Sequence, residues 1–108
     1  MRTIGAMAVL AFILMAHGPA GAADDSTARG KALVEQNCAG CHALTEAQIS
    51  AHADAPAFST LSQRYPLDAL EEAFVEGIST GHPDMPEFVA TPDQIQAIIG
   101  YLDTLQPD

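Results

Sequence analysis

An all-α fold is the class this sequence predicts, and three observations predict it. Apolar residues recur at three- and four-residue steps in separate segments that end near residues 38, 77 and 105, the period of an amphipathic helix. No stretch shows the sustained apolar–polar alternation of a half-buried strand. Helix-start and helix-stop residues stand at the ends of these segments. The chain has 108 residues, enough for one domain, with no internal repeat and no long linker.

The beginning of the chain reads as something other than that domain. Arg2 is the one charged residue before Asp24, and Ile4 to Ala16 is an apolar run of 13 residues. His17-Gly18-Pro19 ends the run, and Ala20-Gly21-Ala22 offers a small-x-small cleavage site. This is the layout of a secretory signal peptide. Cleavage is expected after Ala22 or Ala23, which makes 1–23 a leader and 24–108 the mature domain. An uncleaved anchor is the competing reading, but the run is short of the ~20 apolar residues that span a bilayer. The expected location is therefore the periplasm of a bacterium, with no membrane insertion once the leader is gone.

The charge narrows the function further. The whole chain carries a formal charge of −10. The mature part keeps three strong bases, Arg29, Lys31 and Arg64, against all 14 carboxylates, a net charge of −11. Nucleic acid demands a basic surface and is excluded as a partner. Such acidity suits plain solubility first, and is compatible with electrostatic steering toward a basic protein.

The elements follow in order. Asp24-Asp25-Ser26 suits a helix start, with acids near the positive end of the helix dipole. Thr27 to about Cys38 is the first helix, its face formed by Ala28, Ala32, Leu33, Val34 and Asn37. Gly30 is unfavourable inside a helix by about 1 kcal/mol against Ala; either another helix crosses closely there, or the position is tolerated near a frayed end. Ala43 to Ala57 reads as an extended polar loop. Phe58, Leu61 and Tyr65 give a short helical stretch over 58–65. Pro66 permits a new start, and Leu67, Leu70, Phe74 and Ile78 mark a helix over 67–77, which Gly77 stops. A loop follows from Ile78 to Ala90. Thr91-Pro92-Asp93-Gln94 then combines a cap, a first-turn proline and a capping-box glutamine. Ile95, Ile98, Ile99, Leu102 and Leu105 form the apolar stripe of the last helix, 92–105.

Chemistry concentrates at Cys38-Ala39-Gly40-Cys41-His42. A C-x-x-C-H pentapeptide is the attachment signature of a c-type haem. Each thiol bonds one vinyl group of the ring, and the adjacent imidazole becomes an iron ligand. The other uses of such cysteines fit less well. A thiol–disulfide oxidoreductase would need a βαβ context, and structural zinc usually takes four protein ligands where Cys38, Cys41 and His42 supply three.

The iron's sixth position has one strong candidate. Met1, Met7 and Met15 leave with the leader, so Met85 is the one methionine of the mature chain. It lies in Gly81-His82-Pro83-Asp84-Met85-Pro86, where flanking prolines restrict the backbone and present the sulfur at small ordering cost. A thioether favours Fe(II) and raises the reduction potential. His82 and His52 are the competing ligands. The ring of His42 needs an acceptor for its other nitrogen, and a backbone carbonyl near Pro56 is the candidate. Arg64 and Tyr65 are candidates to hold a haem propionate.

With these motifs the mature chain resembles the class I (mitochondrial-type) monohaem cytochrome c family in its small bacterial form. The resemblance rests on a helix running into Cys38-Ala39-Gly40-Cys41-His42, on Met85-Pro86, and on Ile98-Ile99-Gly100-Tyr101-Leu102 in the last helix. It implies three main helices and a short one wrapped around one covalent haem c, with the terminal helices crossing and Gly30 set against Tyr101. It also implies that the Pro56 carbonyl faces His42, and that the axial ligands are His42 and Met85. The basic ring of the mitochondrial members is absent, so their partners do not carry over. The function implied is a monomeric electron carrier with redox-protein donor and acceptor, not an enzyme. The alternative is a haem-based ligand sensor, or a haem subunit of a larger oxidoreductase with a displaceable sixth ligand.

Overall fold

A computed structural model describes residues 22–77 and 83–108. Residues 1–21 of the expected leader, and Ile78, Gly81 and His82, lie outside the described residues. Among those residues every regular element is helical: α1 (Ala22–Asn37), a 3-10 turn (Phe58–Thr60), α2 (Leu61–Arg64), α3 (Leu67–Val75) and α4 (Pro92–Thr104). This is the small all-α arrangement the sequence predicts, three main helices and a short one. No helix among the described residues is long and apolar enough to cross a membrane.

The first helix begins earlier than its local signals imply. It runs from Ala22, so Asp24-Asp25-Ser26 lies inside its opening turns and does not precede them. Alanine has the highest helix propensity, and carboxylates in a first turn meet the positive end of the dipole; both extend the helix backward. The end of α3 matches expectation. Gly77 takes φ +80°, a left-handed conformation that ends a helix and suits glycine, and its N–H donates to the Phe74 carbonyl at 3.2 Å. Pro66 stands at the N-cap of α3. The start of α4 carries the full reciprocal capping box. Thr91 Oγ1 accepts from Gln94 N–H at 3.3 Å, and Gln94 Oε1 accepts from Thr91 N–H at 2.9 Å.

The core lies where α1, the 58–64 turn, α3 and α4 meet. It comprises Val34, Phe58, Leu61, Phe74, Ile95, Ile98, Tyr101 and Leu102. Burying each large side chain contributes about 1.5–3 kcal/mol. Val34, Ile98 and Leu102 are the most completely enclosed, so the centre is the contact between the two terminal helices. Gly30 explains how close that contact is. A Cβ at Gly30 would lie 1.9 Å from the Ala97 carbonyl oxygen and 3.0 Å from Tyr101 Cβ. The glycine therefore admits the backbone of α4 itself, with Tyr101 beside it. Gln96 of α4 donates to Glu71 of α3 on the outer side.

Candidate functional site

The pentapeptide Cys38–His42 forms the turn that closes α1. The N–H groups of Cys38 and Ala39 both donate to the Val34 carbonyl, at 2.8 and 3.1 Å. The Cys38 carbonyl accepts in turn from Cys41 N–H at 3.1 Å and His42 N–H at 2.9 Å. The three chemical side chains are thus carried off the end of a helix whose Val34 is fully buried. Cys38 and Cys41 are free thiols, the first half-buried and the second exposed. Burial pushes the Cys38 thiol up to about 11. A redox nucleophile needs the opposite shift, which argues against the oxidoreductase alternative. Among the described residues no three His, Cys, Asp or Glu side chains converge to hold a metal, so structural zinc gains no support.

The imidazole of His42 is held on an edge and on a face. Its Nδ1 lies 2.8 Å from the Pro56 carbonyl. A carbonyl only accepts, so Nδ1 carries the hydrogen and Nε2 keeps its lone pair for a metal. The ring of Phe58 stacks on the imidazole with centroids 4.6 Å apart and planes at 26°. Phe58 N–H donates to the Ala43 carbonyl at 2.8 Å, which ties the segment to the residue after His42. The segment is anchored from behind as well. Gln106 Nε2 donates to the Phe58 carbonyl at 2.8 Å and to the Leu102 carbonyl at 2.7 Å, while its Oε1 accepts from Ser62 N–H at 2.9 Å.

The 43–57 loop is folded back, not extended. Ser50 Oγ accepts from Ala43 N–H and Gln48 Oε1 from Leu44 N–H, each at 2.9 Å. Two short polar side chains thereby satisfy the backbone donors left where the pentapeptide ends. His52 N–H returns to the Cys41 carbonyl at 3.3 Å.

Met85 is half-buried and packs against the core cluster, as do Cys38, Leu44, Leu67 and Leu70. The thioether and one attachment thiol therefore border the same apolar core. Phe88, three residues on, meets Phe74 of α3 edge-on at 6.2 Å and 83°, and fixes that side of the loop. Arg64 and Tyr65, at the end of α2, are exposed. The Ser59 hydroxyl is sealed from solvent with no hydrogen-bond partner among the described residues. His52 Nε2 pairs with Asp84 Oδ2 at 3.0 Å.

Three of these features escape local sequence reading. Phe58 reads as a core residue, yet its place two residues after Pro56 puts it on the imidazole that Pro56 orients. The His52–Asp84 pair and the Gln106 anchor join residues 32 and 48 positions apart, a separation at which no local pattern operates. The residues present fit a covalent haem. Two thiols sit at the right spacing on a formed turn, the imidazole is in the ligating tautomer, and a thioether borders the same core.

Comparison with known proteins agrees. The family model described as Cytochrome c matches residues 27–106. Cytochrome c-552 of Bradyrhizobium diazoefficiens is 31% identical over 78 residues, which cover 72% of this chain and 73% of that protein. No solved structure matches.

Proposed function

This chain belongs to the cytochrome c family, and from that premise we propose that it is an exported, periplasmic carrier of single electrons whose one haem c is ligated by His42 and Met85. Membership brings haem-based electron transfer and covalent haem c with it. The observation that carries the finer reading is the bond from His42 Nδ1 to the Pro56 carbonyl, because it leaves Nε2 as the metal-facing nitrogen at the end of an attachment turn.

In this reading Cys38 and Cys41 would hold the ring through two thioether links, each thiol adding across one vinyl group, and His42 would supply one iron ligand. Met85 would supply a second iron ligand, held by Pro86 on one side and by the Phe88–Phe74 contact beyond. Arg64 and Tyr65, exposed at the end of α2, would donate to the propionates from the solvent side. When bound, the haem supplies the Fe(III)/Fe(II) couple. No nucleophile or general base is required of the chain. Its partners are a donor and an acceptor protein, met by a monomer with a net negative surface.

The test is the visible spectrum of the purified holoprotein, oxidised and reduced. Low-spin haem c bands together with the weak long-wavelength sulfur-to-iron band of the ferric form are expected. Absence of the sulfur band would overturn Met85 as ligand and favour an open position or a second histidine. A Met85→Ala variant should lose the high potential.

A further inference from the structure

We propose that His52 is a positioning residue for Met85: its imidazole ties the segment leaving the attachment turn to Asp84, and so holds the adjoining thioether at the iron. The inference rests on Met85 as the sixth ligand.

Two backbone bonds fasten His52, and two ring bonds aim its imidazole. His52 N–H donates to the Cys41 carbonyl at 3.3 Å, and the His52 carbonyl accepts from Ala55 N–H at 3.1 Å. The backbone of His52 is thus fastened to the pentapeptide and closed into a turn. His52 Nδ1 accepts from Asp54 N–H at 3.2 Å. That bond commits the neutral ring to the Nε2–H tautomer. Nε2–H then points at Asp84 and donates to Oδ2 at 3.0 Å. The donor is oriented before the partner arrives, so little freedom is lost in making the bond.

The bond matters because of what adjoins its acceptor. Asp84 precedes Met85, and Pro83 and Pro86 flank the pair, so the backbone has few ways to move the sulfur while the carboxylate stays put. Downstream the loop is fixed by Phe88 against Phe74. Upstream the imidazole is the counterpart. Met85 therefore sits between an aromatic contact to α3 and a polar contact to the attachment side. Release of the polar contact frees the thioether to leave the iron.

The test uses the ferric holoprotein and imidazole as an exogenous ligand. At saturating imidazole the rate of sulfur displacement reaches a limit set by loop opening. Side-chain exposures of 31% and 65% make this a partly screened pair. We therefore expect His52→Ala to raise the limiting rate about three- to tenfold. His52→Gln, which keeps a donor of similar reach, should return it toward the original value. A double-mutant cycle with Asp84→Ala isolates the pair from other contacts of either residue. The two changes should be non-additive in the limiting rate. An unchanged rate in His52→Ala, or additive effects in the cycle, overturns the proposal. A lower melting temperature with an unchanged rate would make His52 merely structural. If the unsubstituted ferric protein lacks the sulfur-to-iron band, Met85 is not the ligand and the inference falls with that reading. If the band is present and the cycle is additive, the inference alone falls.

Discussion

Gln106 donates to the carbonyl of Phe58 across 2.8 Å. Through that bond Gln106 holds the segment that fixes the imidazole of His42. Phe58 lies on His42, and Pro56, two residues earlier, takes its Nδ1 hydrogen.

Gln106→Ala should therefore lower stability by about 1–3 kcal/mol, since it strands part-buried carbonyls and an amide donor. Gln106→Glu should be worse than Ala near neutral pH, because it turns a carboxylate toward the Phe58 and Leu102 carbonyls. Urea midpoints of the three holoproteins measure both effects. Equal midpoints would show that the anchor contributes nothing.

Two glycines should respond in opposite senses. At Gly30 a methyl group would strike the backbone of Ala97, which no side-chain rotation relieves. Gly30→Ala should lose about 1–3 kcal/mol or more through forced separation of α1 and α4. At Gly100 a Cβ meets nothing within 4 Å, so Gly100→Ala should gain up to about 1 kcal/mol of helix stability. Thermal melts of both variants decide the matter.

Tyr101 makes stability fall at alkaline pH. Burial, and then the charge of Glu35, raise its hydroxyl above the ordinary value of 10.0. The unfolded chain therefore releases this proton first, and the folded protein binds more protons between the two values. The contribution is complete below pH ~10 and is lost as pH rises through the folded value. Melting temperature should drop more steeply above that pH in the unsubstituted protein than in Tyr101→Phe. Glu35→Gln should shrink the difference. Parallel curves would show that the hydroxyl carries no such load.

Much of this was legible beforehand because it is local. The capping box at Thr91 and Gln94 is a four-residue pattern, the stop at Gly77 a single-residue one, and Cys38 to His42 a contiguous word. The acceptor for His42 was legible through family resemblance, and Gly30 likewise, although the partner at Gly30 proves to be the Ala97 carbonyl before it is the Cβ of Tyr101. What sequence did not yield depends on distant residues meeting or on side chains replacing backbone partners. That α1 already includes Ala22 and Ala23 reflects propensity outweighing the conventional cap at Asp24-Asp25-Ser26. The compact 43–57 loop depends on Ser50 and Gln48 reaching back to Ala43 and Leu44. His52 with Asp84, and Gln106 with Phe58, are polar contacts whose partners only the fold selects.

The closeness of Gly30 to Ala97 also has a meaning in time. A chain made from its N-terminus forward has no Ala97 to meet until almost all of it exists, and joining the two ends closes the longest loop the domain contains. Until then Val34 and Cys38 stay in water, and the turn beyond them is uncovered. Synthesis order therefore leaves an interval in which Cys38 is fully open, and docking of the last helix ends it by half-burying that thiol while Cys41 stays exposed. Hastening that docking would shorten the interval, and its effect would appear as a lower yield of haem-linked protein, with the stability of the finished molecule unaltered.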